Sequence, residues 1–184
     1  MTDVDEIVRI QSVTWAVAYA ELVPASALQL LDGTGARQAW ETAVATAGAR
    51  RHVLVATEGT QTVGFCAATA ADPTDAPGPA GHGHAPEPPE LGGWAWGEIN
   101  ALLVEPRWGR RGHAGRLLAA AAAALQAGGA RYGLAWIAEP DRATRLFYAR
   151  SGWEPDGAVR GLDTGAGTLR EIRLTGSLDL ALRH

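Results

Sequence analysis

The sequence predicts an α/β domain with a mixed, mostly antiparallel central sheet flanked by helices. Three observations predict it. Residues 99–125 read as a strand, a Gly- and Arg-rich turn and a helix built almost wholly of Ala and Leu. Residues 52–69 read as two strands around Glu58, Gly59 and Thr60, a hairpin signal. After the Ala-rich helix the chain reads strand, helix, strand, strand as far as residue 174. At 184 residues it suits a single domain, residues 1–184, large enough to bury a core.

Each element follows from its pattern. Residues 3–20 read as an amphipathic helix: Ile7, Ile10, Thr14, Trp15 and Ala18 keep helical spacing, and Asp3, Asp5 and Glu6 suit the N-terminal end of the dipole. Pro24 breaks the chain, and residues 25–31 give a short second helix. Residues 36–47, with Trp40, give a third, stopped by Gly48. In the strand 52–57, Val53 and Val55 lie on one face and Leu54 and Ala56 on the other. Cys66 sits mid-strand in 62–69 and reads as a small buried hydrophobe, not a nucleophile. Residues 72–93 hold most of the prolines and read as a long loop insertion. His82 and His84 on that loop lack further ligands, so no metal is expected. Trp94 and Trp96 lead into the strand that Pro106 ends. The helix 115–125 is capped by Gly128 and Gly129, and residues 131–138 form a strand. A helix over 140–150 ends at Gly152, and strands follow at 153–160 and 168–174.

Composition narrows the function. A formal charge of −4 with no basic block argues against nucleic acid. No apolar run reaches membrane-spanning length. The single cysteine excludes an intrachain disulfide and suits a reduced, cytoplasmic setting.

The turn between residues 104 and 115 carries the chemistry. Backbone N–H groups at a helix start have no partners of their own, and the dipole favours an anion there. Glycines let the backbone come close, and arginines add charge-assisted hydrogen bonds. The turn is not a P-loop, because no Lys-Ser or Lys-Thr pair follows, and Gly109, Gly112 and Gly115 are three apart, which is not G-x-G-x-x-G.

The turn instead resembles the pyrophosphate motif Q/R-x-x-G-x-G/A of the GNAT superfamily of N-acetyltransferases. Gly112, His113 and Ala114 match, and Gly109 departs from it, with Arg110 and Arg111 as stand-ins. About thirty residues on, the stretch from Asp141 to Trp153 resembles the second GNAT signature, N-x-x-A-x-x-F-Y-x-x-x-G-F. Phe147, Tyr148 and Gly152 match; Asp141, Thr144 and Trp153 are substitutions.

The resemblance implies the GNAT fold and transfer of an acetyl group from acetyl-CoA, by direct attack, to a primary amine of a small molecule or peptide. A catalytically silent acyl-CoA-binding subunit of the same fold is the alternative. The main chain at Leu102, Leu103, Val104, Arg110, Arg111, Gly112, His113, Ala114 and Gly115 would hold the cofactor. Asp141 stands where the family has a cofactor-contacting Asn. Tyr148 would protonate the leaving thiolate. Trp15, Tyr19, Trp94 and Trp96 would line the acceptor pocket, and the 72–93 loop would cover it. Dimers are common in the family, so a homodimer is an expectation. Glu98 opens the central strand and, by alternation, shares a face with Asn100 and Leu102. It reads either as the base that deprotonates the amine or as a surface carboxylate.

Overall fold

The computed structural model describes residues 3–20, 33–77, 96–164 and 167–180. The predicted helix at 25–31, most of the 72–93 loop with its two histidines, and Trp94 lie outside the described residues.

The chain order is α1 (Asp3–Ala18), α2 (Thr34–Ala45), β1 (Arg51–Glu58), β2 (Gln61–Ala70), β3 (Trp96–Val104), α3 (His113–Ala127), β4 (Tyr132–Ala138), α4 (Arg142–Arg150), β5 (Glu154–Asp163) and β6 (Thr168–Ser177). The six strands form one sheet in the order β1-β2-β3-β4-β6-β5. Every neighbouring pair is antiparallel except β3 and β4. That exception follows from the crossover: α3 carries the chain from the end of β3 back to the start of β4.

Helices cover both faces. On one face, Leu117, Leu118, Ala121, Ala122 and Leu125 of α3 pack on Cys66, Ala68 and Ile99. On the other, Ile7 and Ile10 of α1 pack on Phe65, with Trp40 of α2 alongside. The α1 side works because Ile7 and Ile10 are three apart and both fully buried. Cys66 is a core residue, and burial pushes its thiol up to about 12.

Two departures from simple alternation shape the site. The β2–β3 register slips: Ala67 faces Ala101 and Ala68 faces Ile99, leaving Asn100 as a bulge. Ile99 and Leu102 therefore belong to the α3 face, while Ala101 and Leu103 belong to the α1 face. Glu98 and Asn100 share the α1 face, as alternation predicts, but Leu102 does not. The second departure is that β3 and β4 pair over only three positions, Trp96 with Tyr132, Gly97 with Gly133 and Glu98 with Leu134.

Trp153 locks β4 and β6 to α4. It is almost fully buried, and its Nε1–H donates to the Ser177 carbonyl at 3.0 Å. A Cβ added at Gly133 would lie 2.3 Å from its ring, and one at Gly176 would lie 2.2 Å from it. Both strands present glycine because the indole fills the space a side chain needs. Gly176→Ala is expected to destabilise the fold by about 3 kcal/mol, the upper range of core overpacking. A urea midpoint equal to that of the parent would show that the ring can move aside.

Candidate active site

Past Glu98 the two central strands part. The edge of β3 from Ile99 onward carries no ladder partner from β4. A cavity of about 340 Å³ opens at this split. Trp15, Tyr19 and Trp40 line it from the α1 side, and Leu102, Ile137 and Tyr148 line it from the α3 side. The cavity wall therefore draws residues from both faces of the sheet.

Tyr148 is part of that wall. It lies on α4, which ends in a Schellman arrangement: the Trp153 N–H donates to the Tyr148 carbonyl at 3.0 Å, and the Gly152 N–H to the Ala149 carbonyl at 3.0 Å. Gly152 takes φ +81°, as the position after such a cap requires. The apolar contact that accompanies this motif is here the Tyr148–Trp153 ring stack, with centroids 5.2 Å apart. The spacing F-Y-x-x-x-G-W is thus a helix end that fixes the orientation of its own tyrosine. Burial pushes the Tyr148 phenol well above its ordinary value, so it stays protonated through the physiological range.

Asp141 sits at the other end of α4 and acts as its N-cap. It accepts from the Thr144 N–H at 3.0 Å, the Thr144 hydroxyl at 2.7 Å and the Tyr19 hydroxyl at 3.2 Å. Its carboxylate is committed to holding the helix and the α1 end together, which accounts for it without a cofactor contact. Desolvation and the adjacent Asp141 charge raise the Tyr19 phenol.

The α1 side of the cavity has aromatic walls. Trp15 and Tyr19 meet edge to face at 4.8 Å, and Trp40 donates its Nε1–H to the Gln11 amide oxygen at 2.6 Å. Both Trp15 and Tyr19 line the cavity, as sequence spacing anticipates. Trp96 does not; its ring packs on Tyr132 at 5.2 Å, at the closed end of the β3–β4 seam. Asn100 lines the cavity and accepts from the Thr69 hydroxyl at 3.0 Å.

Glu98 lies beside Asn100, outside the cavity lining. Desolvation raises its carboxyl; Asp75 and Asp72 raise it further, against Arg160 and the Asn100 hydrogen bond. Three residues here escape sequence reading. Trp136 of β4 and Glu171 of β6 both line the cavity, and Arg160 of β5 bridges them. The Arg160 guanidinium lies 4.5 Å above the Trp136 ring and pairs with Glu171 at 2.7 Å. The only sequence signal was Trp136 on a strand face, and its alternation reads equally well as core.

The turn after β3 has the features of an anion site. Gly112 is the N-cap of α3 at φ +82°, with no side-chain cap. The first helical bond runs from the Arg116 N–H to the Gly112 carbonyl. The N–H groups of His113, Ala114 and Gly115 precede it and have no partner within the helix. The helix thus begins two residues earlier than the Ala/Leu run suggests. Arg110 also takes positive φ, +61°, a strained setting for a side chain. A Cβ at Gly112 would meet nothing within 4 Å, so the turn's surface is open.

The arginines divide the work unequally. Arg111 pairs with Glu58 at 3.0 Å and stacks over Trp108 at 4.8 Å, whereas Arg110 makes no ion pair among the described residues. His113 is buried, its ring within hydrogen-bond reach of Glu58 and Arg116. Val104 does not line the cavity, although Leu102 and Leu103 do.

An Acetyltransferase (GNAT) domain family model matches residues 49–155, more than half of the chain. The chain belongs to the GNAT acetyltransferase family. In solved structures the same fold recurs at low identity. PaiA N-acetyltransferase from Thermoplasma acidophilum, in complex with coenzyme A, is 12% identical with a TM-score of 0.70, over 95% of this chain and 92% of that one. YncA from Salmonella typhimurium, solved with its cofactor acetyl-CoA, is 16% identical with a TM-score of 0.61, over 100% and 92%. The ribosomal-protein-S18-alanine N-acetyltransferase from Escherichia coli is 14% identical with a TM-score of 0.62, over 98% and 91%. No curated protein sequence matches this one. The described helices include none long and apolar enough to cross a membrane.

Proposed function

We propose that this GNAT protein transfers an acetyl group from acetyl-CoA to a primary amine on a small, partly apolar molecule. The observation that carries the reading is the cavity at the split between β3 and β4, with the buried Tyr148 in its wall. The coenzyme A and acetyl-CoA in the PaiA and yncA structures support the choice of donor. The pyrophosphate would sit on the N–H groups of Gly112 to Gly115, and the pantetheine amides would pair with the unladdered edge of β3 at Leu102 and Leu103. The amine would enter between Trp15, Tyr19 and Trp40, whose rings bury its carbon skeleton.

The amine nitrogen attacks the thioester carbonyl carbon. An amide bond forms and the carbon–sulfur bond breaks. The amine's proton passes to a base and Tyr148 gives its proton to the departing sulfur. A thiol near ~8.5 and a phenol near ~10 make that transfer uphill by about 2 kcal/mol in water. The buried site disfavours both anions, so the raised Tyr148 pKa widens the gap less than it would alone. A panel of amines with acetyl-CoA, read by thiol release, tests the function. Tight coenzyme A binding with no turnover across the panel would favour the silent subunit.

Glu98 remains the proposed base, acting through a water because it stands beside the cavity. An alkylamine near ~10.4 is neutral about one part in 10³ at pH 7, so a base is useful for such an acceptor. Glu98→Gln is expected to move the kcat/KM profile to higher pH. Its raised carboxyl also means that the folded chain holds the Glu98 proton more tightly than the unfolded chain. The ionised group therefore weakens the fold as pH rises through its folded pKa, and Glu98→Gln should melt slightly higher at neutral pH. A pH–rate profile identical to the parent's would remove Glu98 from the mechanism.

A further inference from the structure

We propose that Glu58 positions the anion-binding turn, holding Arg111 through one carboxylate oxygen and His113 through the other. The proposal rests on the reading of that turn as the pyrophosphate site. Glu58 ends β1, an edge strand far in sequence from the turn, and no motif points to it. Its Oε1 accepts from Arg111 Nη1 at 3.0 Å, and its Oε2 meets His113 Nε2 at 2.8 Å. Arg116 Nη2 lies 2.7 Å from His113 Nδ1. A guanidinium can only donate, so Nδ1 accepts and Nε2 carries the proton that goes to Glu58. The imidazole is thereby fixed in one tautomer, with both nitrogens satisfied in a side chain only 1% exposed.

The two residues that Glu58 grips are those on either side of Gly112. That glycine is the left-handed hinge from which the free N–H groups of α3 start. Without the grip, Arg111 would keep only the Trp108 ring and His113 only Arg116 of the side-chain contacts named here, and more of the ordering would fall to the ligand. The opposite effect also needs weighing, since a carboxylate beside an anion site repels the anion. Glu58 is 41% exposed, so water screens that repulsion, whereas the His113 side chain it holds is buried. Among the described residues only Nη1 of Arg111 is engaged, and the Trp108 ring supports one face of the guanidinium at 4.8 Å. The other N–H groups stay available, pre-aimed, for phosphate oxygens. Preorganisation outweighs repulsion on these observations.

Calorimetry with two probes tests this: coenzyme A, and pantetheine, which lacks the pyrophosphate. Glu58→Ala should weaken coenzyme A binding about tenfold while leaving pantetheine within twofold. Glu58→Gln keeps the shape and one acceptor oxygen, so it should fall between the two. In turnover, KM for acetyl-CoA should rise, with KM for the amine unchanged. Coenzyme A binding that is unchanged or tighter in both variants would overturn the positioning role. Equal affinity of the parent protein for coenzyme A and pantetheine would overturn the pyrophosphate reading of the turn, and this proposal with it.

Discussion

Tyr148→Phe is expected to lower kcat by about 10²-fold or more, the usual scale for a positioned acid. The melting temperature should barely change. The substitution keeps the ring stacked on Trp153 at 5.2 Å and the edge contact with Phe147 at 5.2 Å. It also keeps the Schellman end of α4, which uses only backbone groups of residue 148. The hydroxyl makes no hydrogen bond among the described residues, so its removal orphans no protein partner. Loss of rate without loss of fold would be the signature of a proton donor. If chemistry is rate-limiting and kcat stays within twofold, Tyr148 is packing alone.

Gly112→Val should weaken coenzyme A binding by on the order of 1–3 kcal/mol, through two separate causes. At φ +82° a β-branched residue is strained, so the turn relaxes and its N–H groups lose their common aim. The new side chain would also project into space that is open in the protein and needed by the ligand. Calorimetry on folded variant protein decides it. Unchanged affinity would mean that the pyrophosphate does not rest on this turn.

Much of this was legible in the sequence because it is local. The Schellman end of α4 is spelled out by the spacing from Tyr148 to Gly152 and Trp153. The left-handed turn into α3 is written in Gly112 and the Ala-rich helix behind it. Trp15 and Tyr19 reach the cavity because they are four apart on one helix. What was not legible depends on pairing between distant strands. The bulge at Asn100 exists only in the register of β3 against β2, and it is what turns Leu102 away from Glu98. Trp136, Glu171 and Arg160 come from three strands that only the sheet order brings together. Asp141 read as a cofactor ligand because the motif aligns an Asn there, but a carboxylate before Thr144 caps the helix just as well. Glu58 and His113 are separated by 55 residues, and no pattern joins them.

On the proposed placement of the donor, the short seam between β3 and β4 would tie the protein's stability to donor binding. A ligand laying its amides along the open edge of β3 adds rungs to the sheet that the chain alone cannot make. By mass action it also stabilises the folded state, by about 2.7 kcal/mol at a hundred times its dissociation constant. On that reading, the protein loaded with donor would melt higher than the bare chain.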